Sequence, residues 1–425
     1  MIITKVHGLS GIVRVPGDKS ISHRAVMLGS LAKGQTEIQG FLMGADCLST
    51  IDCFKKLGVR INIYSDTVVV EGMGLRGLKS PIQTLNVGNS GTTMRLISGV
   101  LAPQNFSAKL DGDFSIRKRP MNRVIMPLSE MGADITSEAG DGLPPLVING
   151  KNLKGITYKS PVASAQVKSA LLLAGLYADG ETTVTEPALS RNHTELMLKC
   201  FGADVVSEGT SATVKPCEEL FGQQVVVPGD ISSAAYFMVA AAITPDSEIS
   251  MKNVGLNPTR DGIIRVIREM GADVSIRVNE RAVGEPAGDV TVRTSKLKGI
   301  TIGGELIPTL IDELPVIAVL ACFAEGTTVI KDAEELKVKE SNRIDIMVKN
   351  LKAMGADIEA TDDGMIINGG KPLHGAEVDS VKDHRVAMSM AVAAMNAEGD
   401  TELKDAHCVK ISYPRFYEDM QRLSV

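Results

Sequence analysis

Ser129–Ile135 reads SEMGADI, a helix-like pattern that stops on Gly132 and turns straight into an alternating strand. The same phrase returns as KKLGVRI (Lys55–Ile61), KCFGADV (Lys199–Val205), REMGADV (Arg268–Val274) and KAMGADI (Lys352–Ile358). The glycines Gly58, Gly132, Gly202, Gly271 and Gly355 stand 74, 70, 69 and 84 residues apart. A glycine just past a helix lets the backbone turn left-handed and end it, so the recurrence marks a repeated structural unit.

A second series runs in step with the first. Its members are SHRAVMLGSLAKG from Ser22, SGTTMRLISGVLAP from Ser90, SAQVKSALLLAGLYADG from Ser164, SSAAYFMVAAAITP from Ser232, DELPVIAVLACFAEG from Asp312 and DHRVAMSMAVAAMNAEG from Asp383. Each is a polar start, a strongly apolar helix, then a turn and a strand. Helices apolar on nearly every side belong inside a core, and their Ser or Asp starts are N-caps that leave backbone N–H groups pointing outward. Six such helices predict six units, each reading strand, helix, strand, helix and a terminal hairpin. Strands such as TVVVEG and GMIINGG alternate as half-buried strands do, and the fold class is α/β (α+β) with mixed sheets layered on helices.

The tetrapeptide VPGD occurs at Val15–Asp18 and again at Val227–Asp230, and the 212 residues between the copies match three units. That spacing implies two homologous domains. The chain starts in one, builds the other and returns, giving 1–17 with 230–425 as the first domain and 18–229 as the second. The Pro-Gly pairs make hinges near 15–19 and 227–231.

With 425 residues, 44% of them hydrophobic, the chain can bury a large core. The longest apolar runs, such as VIAVLACFA from Val316, are about half the length that spans a bilayer. MIITKVHGLS has neither the basic start nor the cleavage site of a secretion signal, so the expectation is a cytoplasmic protein away from membranes. Six scattered cysteines without a CxxC pair fit a reduced compartment. A net charge of −6, 4% aromatics and no tryptophan argue against nucleic acid and for small-molecule partners.

Helix N-termini carry roughly half a positive charge and spare N–H donors, so units packed side by side would build an anion site from backbone alone. Side chains then decide which ends are used. After the first VPGD come Lys19, Ser20, His23 and Arg24; cations there oppose the helix dipole and make sense around a strong anion. The second VPGD is followed by small neutral residues only and reads as scaffold. NVGNSGTTMR offers Asn89, Gly91 and Thr92 at a Gly-rich helix entry, SIRKRPMNR holds Arg119 in the extended geometry before a proline, and SAQVK brings Ser164, Gln166 and Lys168 as donors for a phosphate or polyol. EELKVKESNRI places Lys339, Glu340 and Arg343 within one helical turn, as a site or as an ordinary ion-pair ladder. KDHRVAM adds His384 and Arg385. Asp312 can cap its helix and, held ionised among cations, can serve as general base toward a substrate hydroxyl; the two roles are compatible.

Three near misses fail. GMGLRG at Gly72 precedes LKSP rather than an apolar helix, GDKS lacks the spacing of a phosphate-cradling P-loop, and HTE at His193 is followed by no PCxxC. No metal site is expected.

Taken in order, GDKS, NSGT, RPM, SAQVK, RNHTE, NPTR, ELKVKESNR and DHR resemble the EPSP synthase family over nearly the whole chain, in forms similar to its class II branch, associated with glyphosate tolerance. The resemblance implies a two-domain inside-out α/β barrel-like fold of six βαβαββ units, three per domain. It implies a shikimate-pathway step toward chorismate and the aromatic amino acids: transfer of the enolpyruvyl group of phosphoenolpyruvate to the 5-hydroxyl of shikimate 3-phosphate, by a monomer, with no cofactor. Carried over by motif, Lys19, Ser20, Arg24, Ser164, Ala165, Gln166 and Arg191 hold shikimate 3-phosphate. Asn89, Gly91, Thr92, Arg119, Gln166, Arg343, His384 and Arg385 surround phosphoenolpyruvate, which Lys19 also touches as one of the catalytic groups. Asp312 takes the hydroxyl proton and also binds shikimate 3-phosphate, as does Lys339; Lys339 or Glu340, the latter also on phosphoenolpyruvate, protonates the methylene carbon. KISYP departs from the family by placing Ile411 where a lysine is common, which puts a role for Lys410 in doubt. UDP-N-acetylglucosamine enolpyruvyl transferases share the architecture but carry a cysteine ahead of the RP motif, and Leu110–Pro120 has none. A non-catalytic anion-binding protein would not need Asp312, Lys339 and Glu340.

Overall fold

A computed structural model describes residues 1–279 and 284–425. Six buried helices recur along the chain: α1 (Lys19–Leu31), α3 (Gly91–Leu101), α5 (Ala165–Gly175), α7 (Ile231–Ile243), α9 (Leu314–Cys322) and α11 (His384–Ala394). A second set alternates with them: α2 (Ala45–Lys56), α4 (Asn122–Glu130), α6 (His193–Cys200), α8 (Gly262–Glu269), α10 (Arg343–Ala353) and α12 (Phe416–Leu423). The first five of this second set end on the repeated glycines, which take φ of 93°, 97°, 98°, 100° and 91° at Gly58, Gly132, Gly202, Gly271 and Gly355. That left-handed turn costs other residues 1–2 kcal/mol or so, which is why the phrase keeps its glycine.

The sheets repeat too. In one unit Leu85–Asn86 runs parallel to Ser107–Asp111, which pairs antiparallel with Leu146–Asn149, itself antiparallel to Asp134–Ser137. Strands 157–159, 182–185, 211–214 and 205–208 follow the same order, as do 301–302, 327–330, 365–368 and 357–360. Three units draw a strand from far along the chain. Ser10–Val13 runs parallel to Glu248–Gly255, and Gln224–Val226 runs parallel to Ala32–Gln39. In the last sheet Glu377–Asp379 is parallel to Thr401–Lys404, which is closed by Ile2–Ile3 from the N-terminus.

The chain divides into two compact units, one of Met1–Pro16, Pro228–Glu280 and Pro286–Val425 and the other of Gly17–Val227 and Arg281–Glu285. Each contains three of these sheets and its own apolar core. In the first, all thirteen residues of α7 except Ile243 and every residue of α9 are buried. In the second, the core gathers α1, α3 and α5 with residues such as Phe54, Leu96, Leu172 and Phe201.

The VPGD glycines work differently from the turn expected of them. Neither takes a positive φ. A Cβ on Gly17 would fall 1.9 Å from the Gly40 carbonyl oxygen, so glycine is required by close backbone approach rather than by a turn. The aspartates of the same tetrapeptides are the caps: Asp18 accepts from Ile21 N–H at 2.9 Å and Asp230 from Ser232 N–H at 2.8 Å. Ser22 and Ser232 therefore lie inside their helices, correcting the expected starts. Ser90, Ser164 and Asp383 do cap α3, α5 and α11.

Candidate active site

In the unit of Gly17–Val227, α1 opens on Lys19, whose ammonium pairs with Asp46 in the first turn of α2. Its side chain keeps 18% of its surface exposed. Ser20 is half-buried beside it. Because α1 starts at Lys19, His23 and Arg24 stand in its second turn and both are buried. Arg24 spends its donors on neutral partners: Nε on Thr194 Oγ1 at 2.6 Å, Nη2 on Ser169 Oγ at 2.8 Å and Nη1 on the Ser20 carbonyl at 2.9 Å. Burial draws its pKa down to about 10, opposed most by Glu195, while Arg191 pushes it further down. Arg24 thus stays cationic, fixed between α1, α5 and α6.

His23 is a different case. Burial, reinforced by Lys19, lowers its pKa to about 3, so the ring is neutral. Its Nδ1 lies 2.7 Å from Thr50 Oγ1, which continues to Thr93 and Ser90, each step at 2.7 Å. This hydroxyl chain ties α1, α2 and the tip of α3 together.

At that tip Ser90 accepts from Thr93 N–H at 3.0 Å, leaving Gly91 and Thr92 as the first helical residues. Arg119, extended at φ −88° and ψ 126° before Pro120, donates from Nη2 to Asn89 Oδ1 at 2.7 Å. The Gln166 amide donates to Thr92 Oγ1 at 3.0 Å and accepts from Arg95 Nη1. A Cβ on Gly91 would stand 3.2 Å from Arg119 Nη1 and 3.3 Å from Arg95 Nη1, so glycine lets two guanidinium groups approach the helix entry. Asn89, Gly91, Thr92, Arg119 and Gln166 are therefore neighbours. Ser164 caps α5 and Ala165 is its first residue. Arg191 precedes α6, and His193 at its start places Nδ1 2.7 Å from Glu285 Oε1.

Lys168 is corrected by its surroundings. Expected as a donor to ligand, it is 2% exposed and ion-paired to Glu186 at 2.9 Å and Glu195 at 2.8 Å.

In the other unit a buried arginine organises the carboxylates. Arg343, the first residue of α10, is 2% exposed and donates Nη1 to Asp312 at 3.3 Å, Nη2 to Glu340 at 2.5 Å and Nε to Asp383 at 2.9 Å. Burial works against its charge, but Asp383, Glu340 and Asp312 outweigh it and raise its pKa. Asp312 does not cap its helix. Glu313 holds the N-cap position of α9 without a side-chain cap bond, and Asp312 lies one residue earlier, half-buried and aimed at Arg343. Lys339 and Glu340 are likewise not in one helical turn with Arg343, because Glu334–Val338 is a 3-10 turn and α10 begins only after Asn342. Glu340 reaches Arg343 from the connecting segment.

His384 and Arg385 open α11 and are buried. The Arg385 guanidinium lies near Tyr236, Asp312, Asp230 and Glu313; burial lowers its pKa, yet these groups together hold it well above the ordinary value. The second VPGD also has its cation. Arg260, from NPTR, donates to Ser232 Oγ at 2.6 Å and lies 3.6 Å from both Asp230 and Glu313, so the expectation of a charge-free scaffold there does not hold.

No group of three or more His, Cys, Asp or Glu that could hold a metal occurs among the described residues, and none of their helices is long and apolar enough to cross a membrane.

Residues 3–420 match the family model described as EPSP synthase (3-phosphoshikimate 1-carboxyvinyltransferase). This chain belongs to the EPSP synthase family. It is 59% identical over 422 residues to the 3-phosphoshikimate 1-carboxyvinyltransferases of Thermoanaerobacter sp. (strain X514) and Geobacillus kaustophilus (strain HTA426), covering 99% of each chain. An EPSP synthase structure from Acinetobacter baumannii superposes with a TM-score of 0.90 at 45% identity, covering 100% of this chain and 97% of that one.

Against the EPSP synthase frame, several residues bearing on the site escaped sequence reasoning. Asp46, Arg95, Thr194, Arg260 and Glu313 act through partners far away in the chain. Asp383 was read as the N-cap of its helix, but its bond to Arg343 had no local signal.

Proposed function

We propose that this chain transfers the carboxyvinyl group of phosphoenolpyruvate to the 5-hydroxyl of shikimate 3-phosphate and releases phosphate. The observation that carries the reading is Asp312, a part-exposed carboxylate at the mouth of a wholly buried helix, oriented by the Arg343 guanidinium. Such a group can accept a proton from a hydroxyl held against it.

Lys19, Ser20, Arg24, Ser164, Ala165, Gln166 and Arg191 would hold shikimate 3-phosphate, and Asn89, Gly91, Thr92, Arg119 and Gln166 phosphoenolpyruvate, with Lys19 touching both. Arg343, His384 and Arg385 would complete the phosphoenolpyruvate set, and Lys339 would assist shikimate 3-phosphate. Both substrates are anions that repel each other. Charge-assisted hydrogen bonds contribute about 1.5–3 kcal/mol each, so several are needed to hold the pair, and fixing their geometry lowers the barrier by up to roughly 7–11 kcal/mol.

In the addition step the 5-oxygen bonds to C2 of phosphoenolpyruvate while its proton passes to Asp312 and the methylene carbon gains a proton from Glu340 or Lys339. The resulting tetrahedral intermediate then loses a proton from the new methyl group as the C2–O bond to phosphate breaks, restoring the alkene. The reading places the enzyme in the cytoplasm as a monomer. Its test is phosphate release from phosphoenolpyruvate. Release should require shikimate 3-phosphate; release supported by UDP-N-acetylglucosamine instead, or by neither acceptor, would refute it.

A further inference from the structure

Beneath the tips of α5 and α6 lies a cluster of buried charges that no proposed substrate contact uses. Lys168 Nζ pairs with Glu186 Oε2 at 2.9 Å and with Glu195 Oε1 at 2.8 Å, and the three side chains are 2%, 0% and 3% exposed. Glu186 does more than balance the lysine. Its Oε1 accepts the Ser164 N–H at 2.7 Å, and its Oε2 accepts the Ser190 hydroxyl at 2.7 Å. One carboxylate thus grips both the residue that caps α5 and the turn that carries Arg191. Glu195, on α6, is also the strongest counter-charge acting on Arg24, whose Nε bonds the adjacent Thr194 at 2.6 Å.

The architecture does not ask for ions at this depth. Lys168 is the fourth residue of its helix; the fourth residues of α1, α3, α7, α9 and α11 are Ser22, Met94, Ala234, Ile317 and Ala387, all uncharged. Buried ion pairs are weak stabilisers, because withdrawing both charges from water offsets most of their attraction; in some proteins they instead fix one arrangement over others. What this one fixes is the separation between Ser164 with Ala165 on one side and Arg191 with Arg24 on the other.

We propose that Lys168, Glu186 and Glu195 form a buried positioning triad that sets the spacing of the groups receiving the phosphate of shikimate 3-phosphate, and through it the affinity for that substrate. The proposal rests on the function argued above. None of the three touches substrate; they act through Ser164, Arg191 and Arg24.

Steady-state kinetics on the full chain tests it with Glu186→Gln and, in case an unbalanced lysine disrupts folding, with the neutral pair Lys168→Met/Glu186→Gln. For the folded variants the KM for shikimate 3-phosphate should rise at least tenfold, while kcat and the KM for phosphoenolpyruvate stay within about threefold. A folded double variant with an unchanged KM for shikimate 3-phosphate overturns the triad, as does a parallel rise for both substrates, which would mark a general loss of structure. If the unaltered protein releases no phosphate with shikimate 3-phosphate present, the function reading fails instead, so the two failures are separable.

Discussion

The tips of α1 and α7 begin with the same four residues, and in both the aspartate caps the helix from the same place. Beyond the cap they part. At α1 the cations are local, and Lys19 remains part-exposed despite its bond to Asp46. At α7 the cation arrives from a distant turn as Arg260 and is enclosed by Ser232, Asp230 and Glu313. The contrast extends through the two units. In that of Gly17–Val227, Arg119 and Arg24 bond neutral groups; in the other, Arg343 is enclosed by three carboxylates. The repeat sets where backbone donors lie. Under the proposed function, the unit of Gly17–Val227 would supply most of the anion contacts, and the other would supply Asp312 as base beside the phosphoenolpyruvate contacts of Arg343, His384 and Arg385.

The strongest way to break this division is Asp312→Asn, which should lower kcat roughly 10²–10⁴-fold, the usual contribution of a general base. Phosphate-release rates check it, and a rate within threefold of the unaltered enzyme would remove Asp312 from that role. Arg119→Ala removes one charge-assisted contact and should raise the KM for phosphoenolpyruvate by about 10–150-fold, equivalent to ~1.5–3 kcal/mol, with kcat little changed. An effect on kcat alone would place Arg119 among the proton-handling groups.

Two smaller effects sharpen the comparison through stability. In the unit of Gly17–Val227, His23 has a native pKa of about 3 against an ordinary value of 6.5. Between those values the unfolded chain binds a proton that the native ring refuses, so the His23 contribution is complete above 6.5 and drains away as pH falls toward 3. The slope should reach ~1.4 kcal/mol per pH unit, and His23→Gln should flatten it in urea unfolding across that window. An identical slope in the variant would show that His23 titrates normally. The other unit stores backbone strain just before Asp383, where Val381 and Lys382 have φ of 50° and 60°. A β-branched residue there is costly, so Val381→Gly should raise unfolding stability by about 0.5–1 kcal/mol; a loss would mean the exposed valine packs better than its backbone suggests.

The repeat was legible because a left-handed glycine after each outer helix is a local requirement, visible in five copies. The apolar helices were legible because they are buried nearly all round. Caps were harder. Asp18 and Asp230 hid inside a Pro-Gly-Asp motif whose glycine looked like a turn, while its need is the 1.9 Å approach to Gly40, a contact only folding reveals. Among the side chains proposed for the site, Lys19 and Arg385 stand out locally because cations at helix starts oppose the dipole and so call for an explanation, whereas Ala165 and Arg191 came only from the family resemblance. The partners could not be picked out: Glu186, Glu195 and Asp383 lie 18, 27 and 40 residues from Lys168 or Arg343, and nothing local distinguishes an arginine awaiting an anion from one already enclosed by carboxylates. Lys168 was misread for that reason.

The division of labour is tested most directly by titrating shikimate 3-phosphate into the Asp312→Asn protein and measuring its dissociation constant. Separate binding and proton-transfer groups predict a value within about fivefold of the unaltered protein, since the amide oxygen that replaces the carboxylate can still accept from the hydroxyl. A rise of a hundredfold or more would show that Asp312 is chiefly a binding group, and the account would fall.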